Sequence, residues 1–287
     1  MVDDARWFRI DLGYDGAAFL GSQRQPGART VQETVERAVA EVSGQHVTVT
    51  LAGRTDRGVH ATGQVGSFSI RWARSADALA RALQAMTPDD LVVRDVREVP
   101  GGFHARFDAR MREYRYRIWN GPVPPVLLRD RVWWVRRPLV VERMARAALM
   151  LVGTHDFASF AGNGVGVPGA GVDTARTVSR VEWQELTEAI EPADGERLLE
   201  FQIVADGFLP HMVRNLVGAL ARVGWGLAEP ESLSTLLAAR DRRLAPEPAP
   251  PAGLTLWKVW YPDIVVDADI DRYVGVEGNE DVFAEGE

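Results

Sequence analysis

One short segment gathers charged and imidazole side chains at a spacing that could support chemistry. Residues 53–60 read Gly-Arg-Thr-Asp-Arg-Gly-Val-His, so that Asp56 has two arginines, Arg54 and Arg57, within two residues. Neighbouring guanidinium groups keep a carboxylate ionised even in a dry pocket, and such a carboxylate can act as a nucleophile or a base. The same residues also suit a tight turn in which Gly58 supplies a positive φ. Spacing alone leaves both interpretations open.

Composition excludes several kinds of site. The 287 residues are 46% hydrophobic and 25% charged, as in a soluble globular protein of about two domains. The absence of cysteine excludes disulfides, thiolate metal sites and a cysteine nucleophile. No apolar run is long enough for a transmembrane helix, so we expect no membrane partner. The acidic start Met1-Val2-Asp3-Asp4 predicts no signal peptide, and a cytoplasmic location is the default expectation.

The net charge of −7 hides an uneven distribution. Residues 262–287 carry nine acidic side chains and one arginine, which leaves 32 basic and 31 acidic side chains, or +1, for residues 1–261. Lys258 is the only lysine, so nearly all basic residues are arginines. Arginine binds phosphate through two parallel hydrogen bonds and stacks on bases. A local RNA-binding patch is therefore compatible with the acidic total.

Two successive series of elements are predicted along the chain. In the first half, alternating apolar residues predict strands, and the capping box Thr30-Val31-Gln32-Glu33 opens a helix that Gly44 ends. The resulting order is β-α-β-β-α-β, the split unit of ferredoxin-like folds. The predicted elements of this half are strands at 7–14, 47–51, 65–70 and 91–99 and helices at 31–43 and 79–86.

The second half repeats that order. Its predicted elements are strands at 114–119, 177–186, 198–204 and 254–261 and helices at 141–151, 212–223 and 232–239. We therefore expect an α+β fold in which two ferredoxin-like β-α-β-β-α-β halves join into a largely antiparallel sheet with a central cleft, where a large ligand would sit. The predicted domains are 1–102, which carries the Asp56 loop, 103–262, and a tail at 263–287.

Three segments break the pattern. The Gly-rich segment 162–171 contains a nominal dinucleotide fingerprint, but it follows no clear strand and opens no helix, which favours a surface loop. Ala245–Pro251 is a proline-rich approach to the last strand. The acidic tail at 263–287 is predicted to be a solvated, disordered charge run.

The segment around Asp56 resembles the active-site signature of the bacterial tRNA pseudouridine synthase A family. The match covers Arg54–Val65 at every position except Arg57, where the family has alanine. A second departure is Ser22, where the family usually has tryptophan. The resemblance extends from about residue 8 to Pro262. Further agreeing stretches are Tyr14-Asp15-Gly16, Gln23-Arg24-Gln25, Phe103-His104-Ala105-Arg106-Phe107, Tyr114-Arg115-Tyr116, Asp156-Phe157 with Phe160, His211-Met212-Val213-Arg214-Asn215 and Gly253-Leu254.

This resemblance implies a cofactor-free isomerisation of uridine to pseudouridine at positions 38, 39 and 40 of the tRNA anticodon arm. It makes Asp56 the nucleophilic carboxylate, while attack at C1′, attack at C6 and a glycal route all remain open. By the same resemblance, Tyr114 stacks on the target uracil and accepts or relays the C5 proton. Arg214 becomes the basic partner of Asp56, and Leu254 becomes the apolar wall of the pocket. Taken without the resemblance, the alternating strand pattern predicts a core position for Tyr114, and the helix pattern predicts a polar surface position for Arg214.

A base inside a folded stem must be flipped out before an enzyme can act on it, and the resemblance gives Arg54 the task of filling the vacated space. The alternation of cations and aromatics in 103–107 suits phosphate contact plus stacking, although a strand end that packs two phenylalanines is an equal interpretation. The five histidines show no close metal-ligand pairing, and we expect neither a metal nor another cofactor. The predicted substrate-binding residues are Gln23, Arg54, Thr55, Arg57, His60, Phe103, His104, Arg106, Phe107 and Leu254.

Two other functions compete with pseudouridine formation as interpretations of the sequence. A tRNA-binding protein that has lost the chemistry would explain the bulky Arg57 beside Asp56, but Asp56, Tyr114 and Arg214 are all present. A glycoside hydrolase would need a second carboxylate in the same motif. The expected partners are the tRNA anticodon arm and, as the family implies, a second copy of the chain in a homodimer.

Overall fold

The computed structural model describes residues 5–162, 165, 173–187 and 195–262. The acidic tail at 263–287 and most of the Gly-rich segment 162–171 lie outside the described residues, and the predictions made for them stay predictions. The same holds for the division into domains at 1–102, 103–262 and 263–287.

The described chain contains ten strands and five α-helices. The strands are β1 (Arg6–Tyr14), β2 (Thr50–Leu51), β3 (His60–Ile70), β4 (Leu91–Val99), β5 (Met111–Asn120), β6 (Trp133–Val135), β7 (Gly153–Asp156), β8 (Ala175–Leu186), β9 (Arg197–Ala205) and β10 (Leu254–Trp260). The helices are α1 (Val31–Ser43), α2 (Ala76–Met86), α3 (Val141–Leu149), α4 (Met212–Gly224) and α5 (Ser232–Ala239).

All ten strands form one sheet. Its order is β4-β1-β3-β10-β5-β9-β8-β7, with β2 paired to β3 and β6 paired to β5. The β3–β10 and β5–β6 pairs are parallel, and the other pairs are antiparallel. The mixed α+β sheet confirms the predicted fold class.

The last strand, β10, joins the two halves of the sheet. It pairs with β5 of the second half and, in parallel, with β3 of the first half, where Thr255 lies opposite His60. The backbones approach so closely here that a Cβ on Gly63 would lie 2.2 Å from the carbonyl oxygen of Trp257. Only glycine fits at that position.

Local signals placed the helices of the first half correctly. The Thr30 hydroxyl accepts the N–H of Glu33 at the start of α1, and Gly44 ends this helix with φ 69°. Both positions follow the usual chemistry of helix ends.

The strand expected at 47–51 is shorter than its pattern indicates. Only Thr50–Leu51 pairs with β3. Val49 is buried, but its N–H donates to the carboxylate of Glu36 on α1, 2.9 Å away, and not to a strand. A hydrogen bond to the preceding helix therefore replaces, at Val49, the ladder that local alternation predicts.

The strand expected at 65–70 begins five residues earlier, at His60. Residues 60–64 have little strand character in sequence, and their partners lie on β1 and β10. The short strands β6 and β7 were not predicted.

The main hydrophobic core lies between the sheet and the helices. Phe8, Ile10 and Leu12 of β1 point into it together with Tyr116 and Ile118 of β5. No helix in the described ranges is long and apolar enough to cross a membrane.

Four tyrosines are buried in this core, and burial raises the pKa of each phenol. The pKa of Tyr14 rises to about 12, and those of Tyr114, Tyr116 and Tyr261 also rise above their ordinary value, in each case chiefly because the phenolate would lose its hydration.

The folded protein should therefore lose stability in alkaline solution. Above about pH 10 the unfolded chain releases phenol protons that the folded chain retains, so the free energy of unfolding falls as pH rises. Urea denaturation between neutral pH and pH values above about 10 should show this decline. In a Tyr273→Phe variant, which lacks the fifth tyrosine, tyrosinate absorbance should increase together with unfolding. An increase in the still-folded variant would contradict the burial of these four side chains.

Candidate active site

A cleft of about 1040 Å³ lies between the loop that carries Asp56, the start of α4 and the first residues of β10. Most residues that the sequence singled out line it. These are Gln23, Arg54, Thr55, Asp56, Arg57, Arg106, Phe107, Tyr114, Arg214 and Leu254. His60, Phe103 and His104 lie outside this lining.

Asp56 forms an ion pair with α4. Its Oδ2 lies 3.1 Å from Nη1 of Arg214, and the Asp56 side chain is 33% exposed to the cleft. The Nε of Arg214 donates to the carbonyl oxygen of Ala249 at 2.8 Å, so the guanidinium group is held from two sides. The predicted pairing of Asp56 with Arg214 is thus present in the geometry.

A second nitrogen lies near the same carboxylate oxygen. Nε2 of His211, the residue that precedes α4, is 3.4 Å from Oδ2 of Asp56. In the sequence, His211 belongs to a stretch that agrees with the family, but it is not among the residues predicted for the site. The sequence signal that could have identified His211 is its position at the start of a helix, three residues before Arg214.

Ser22 fixes the backbone immediately before Asp56. The Ser22 hydroxyl accepts the N–H of Thr55 at 2.8 Å, and the N–H of Ser22 donates to the carbonyl oxygen of Thr55 at 3.0 Å. Both residues are buried. Ser22, one of the two predicted departures from the family pattern, therefore has a structural role, since its hydroxyl satisfies a buried amide of the loop that carries Asp56.

The Thr55 side chain turns away from the cleft into a buried polar network. Its hydroxyl lies 2.9 Å from the hydroxyl of Tyr14, to which the amide of Gln64 donates at 3.3 Å. Gln64 also bonds both backbone groups of Gly53, at 2.7 and 3.2 Å. These hydrogen bonds hold the loop that carries Asp56 in place. Thr55 therefore has a positioning function, independent of any contact with a substrate.

Tyr114 forms part of the cleft floor. Its ring meets Phe208 edge to face, with 5.0 Å between centroids. Burial raises the pKa of its phenol, and the negative charges of Tyr14 and Asp56 act in the same direction, while the positive charge of Arg112 opposes them. At neutral pH the side chain is therefore a neutral phenol that can stack and exchange hydrogen bonds.

Arg112 is a second cation beside Tyr114 that sequence reasoning missed. It stands two residues before Tyr114 on β5 and thus on the same face of the strand, which was the available signal. Its guanidinium donates to the carbonyl oxygens of Asp206 at 2.8 Å and Arg106 at 2.7 Å. Burial lowers its pKa. In the part of the chain that the structure describes, no carboxylate forms an ion pair with Arg112.

The 103–107 segment divides between core and rim. Phe103 is buried and packs against Tyr261 with 5.2 Å between ring centroids. Phe107 is 74% exposed at the cleft edge and stacks on His104 at 4.3 Å. Nδ1 of His104 accepts the N–H groups of Arg106 and Phe107, so this histidine shapes the tip that presents both side chains.

His60 follows the loop that carries Asp56 and lies outside the cleft lining. Its Nδ1 accepts the N–H of Gly16 at 3.1 Å, and its Nε2 lies 2.9 Å from the carbonyl oxygen of Asp130. Both ring nitrogens therefore have protein partners. Arg54 and Arg57, in contrast, are exposed at the rim of the cleft, so the bulk of Arg57 extends into solvent.

Within the described ranges, no group of three or more histidine or acidic side chains could hold a metal ion. The chemical resources of the cleft are therefore a carboxylate, a neutral phenol, several guanidinium groups and one imidazole.

Comparison with known proteins gives a consistent result. The family model described as tRNA pseudouridine synthase matches residues 13–108 and 147–262. The chain is 43% identical to the tRNA pseudouridine synthase A of Geobacillus kaustophilus over 253 residues, which cover 88% of this chain and 93% of that protein. The Chromobacterium violaceum protein of the same name is 44% identical over 258 residues, with 89% and 94% covered. The Acetivibrio thermocellus protein is 38% identical over 253 residues, with 88% and 98% covered.

The role of Ser22 in supporting the loop that carries Asp56 can be tested with Ser22→Ala. The substitution leaves the buried N–H of Thr55 without its acceptor, so the free energy of unfolding should fall by about 1–3 kcal/mol in urea denaturation. Ser234→Ala, on the exposed side of α5, is the matched control and should change stability by no more than about 0.5 kcal/mol. Equal stability of Ser22→Ala and the wild type would show that water replaces the hydroxyl at no cost.

Proposed function

Because the chain belongs to the tRNA pseudouridine synthase family, we propose that it isomerises uridine to pseudouridine in the anticodon arm of tRNA, at positions 38, 39 and 40. The family's activity makes the protein an isomerase that acts on tRNA. The positions in the arm, the nucleophile and the flipped base are the finer parts of the proposal.

The proposed reaction needs no electron carrier. The glycosidic bond from C1′ to N1 of the uracil breaks, a bond from C1′ to C5 forms, C5 loses a proton and N1 gains one. Asp56 is the nucleophile, and attack at C1′, attack at C6 and a glycal route each use its carboxylate. Product and substrate contain the same atoms, so the reaction calls for acid–base and nucleophilic groups, which the cleft offers.

The observation that carries the proposal is the placement of Asp56 in the cleft. Its carboxylate is paired with Arg214 through Oδ2, and a third of the side chain remains open to the cleft. The cleft volume, about 1040 Å³, is ample for an extruded nucleotide. A paired but accessible carboxylate in such a cleft suits attack on a bound ligand better than a purely structural turn.

Tyr114 and Leu254 suit the recognition of a flipped uracil. Both line the cleft and are largely buried, so they offer an aromatic face and an aliphatic wall to a planar base. Because burial raises the pKa of Tyr114, we propose that it relays the C5 proton as a neutral hydroxyl rather than as a phenolate.

The rim of the cleft suits contact with the RNA backbone. Arg54, Arg57 and Arg106 are exposed there, and Phe107 extends beside them. Guanidinium groups neutralise phosphates, and an exposed ring stacks on an unpaired base. We propose that Arg54 fills the space vacated by the flipped base, while Arg57 contacts phosphate from outside the reacting centre.

The central test is Asp56→Asn, which is nearly isosteric but neutral. With unmodified tRNA transcript, it should form no detectable pseudouridine, a loss of at least about 10⁴-fold. Its affinity for tRNA should stay within a few-fold of wild type, because phosphate contacts supply most of the binding. Asp77→Asn, on the exposed first turn of α2, should retain wild-type turnover and serves as the matched control.

Two outcomes of this experiment would change the interpretation. Substantial turnover by Asp56→Asn would remove Asp56 from the nucleophile role. A wild type that binds tRNA but forms no pseudouridine would favour the alternative, a tRNA-binding protein without chemistry.

We also propose that the protein is a cytoplasmic homodimer, on the ground of its membership in the family. Sedimentation equilibrium should then give twice the chain mass of 31.7 kDa at assay concentrations. A mass equal to that of one chain would contradict the dimer.

A further inference from the structure

The residue that precedes α4 is unsuited to a helix start in two respects. His211 has φ 61° and ψ −1°, in the left-handed region that residues other than glycine rarely adopt. A side chain at this position usually caps the helix, and serine, threonine, aspartate and asparagine do so best. The imidazole of His211 forms no such capping bond. Strain of this kind persists where the surrounding structure enforces it, commonly at functional sites.

The strained backbone directs the imidazole into the cleft. Nε2 lies 3.4 Å from Oδ2 of Asp56, and 42% of the His211 side chain is exposed. The opposite edge of the ring is confined, because a Cβ on Gly162 would lie 3.3 Å from Nδ1. The N–H of Gly162 also donates to the carbonyl oxygen of Pro210 at 2.6 Å. Glycine at 162 thus leaves the space in which the ring sits.

His211 and Arg214 approach the same carboxylate oxygen. Nη1 of Arg214 is 3.1 Å from Oδ2 and Nε2 of His211 is 3.4 Å from it. The terminal torsion of an aspartate is broad, so a carboxylate held by one donor can still rotate. Arg214 donates to Oδ2, and an imidazole nitrogen close to the same oxygen restricts that rotation further when it carries a proton, so that Oδ1 is the oxygen left for a ligand. Contacts of this kind are often long in a free enzyme and shorten when the substrate binds.

We propose that His211 is a positioning residue that, together with Arg214, holds Oδ2 of Asp56 and thereby assigns Oδ1 as the attacking oxygen. This inference rests on the proposed function of Asp56 as nucleophile. It predicts that His211 contributes to the chemical step and little to tRNA binding, since only the orientation of the nucleophile depends on it.

The first variant is His211→Gly. Glycine accepts the positive φ without strain, so the melting temperature should be unchanged or higher. Pseudouridine formation should slow, with kcat reduced about tenfold or more, because misorientation of a reacting group is costly. KM for tRNA should stay within a few-fold. A slower enzyme that is at least as stable as the wild type cannot be explained by damage to the fold.

Two further variants separate positioning from bulk. His211→Gln restores a nitrogen donor at a similar reach from the backbone, so kcat should recover most of the loss although the strained backbone returns. Gly162→Ala places a methyl group 3.3 Å from Nδ1 and 3.2 Å from the carbonyl oxygen of Pro210, and it should lower kcat without changing the chemical identity of any group near Asp56. Arg240→Gly is the matched control, because Arg240 has φ 49° at the end of α5, with a side chain 68% exposed outside the cleft. It should retain wild-type kcat.

The outcomes distinguish this inference from the proposed function. Wild-type kcat in His211→Gly, while Asp56→Asn remains inactive, would overturn the role of His211 alone. A rise in KM with unchanged kcat would also overturn it, since His211 would then bind tRNA. A wild type without pseudouridine formation would remove the proposed function and this inference with it.

Discussion

The ion pair between Asp56 and Arg214 closes a circuit of contacts that involves both halves of the chain. From Arg214 the circuit passes to Ala249, whose carbonyl oxygen accepts the arginine Nε and whose N–H donates to the carbonyl oxygen of Arg214. Ala249 leads into β10, β10 pairs with β3, and β3 follows the loop that bears Asp56. Each step is a backbone contact or a partly buried polar bond. The geometry of the cleft therefore depends on the whole circuit and not on one loop.

Two glycines allow the backbones in this circuit to approach each other closely. Gly63 lets β3 meet the carbonyl oxygen of Trp257 on β10, and Gly218 lets α4 meet that of Glu247, where a Cβ would lie 2.3 Å away. At both positions any side chain would force the backbones apart. Arg214 lies one helical turn before Gly218, so the packing of α4 sets the distance from which its guanidinium reaches Asp56.

Features that depend on local chemistry could be predicted from the sequence, and features that depend on distant partners could not. The capping box at Thr30 and the stop at Gly44 placed α1 correctly, because both act within one helical turn. The extent of β3 was underestimated because its first residues pair with β10. Asp56 was singled out by its neighbouring arginines, whereas Arg214 and its pairing with Asp56 across 158 residues followed only from the resemblance to a family.

The departures from the family pattern show how a site tolerates change. Arg57 follows Asp56 directly in sequence, yet its side chain is exposed at the rim, because consecutive residues of a loop can point in different directions. Ser22 loses the bulk of tryptophan but adds a hydroxyl that accepts the N–H of Thr55. A missing large side chain at this buried position would otherwise leave both a void and an unpaired amide. The backbone immediately before Asp56 thus depends on a buried polar bond at position 22.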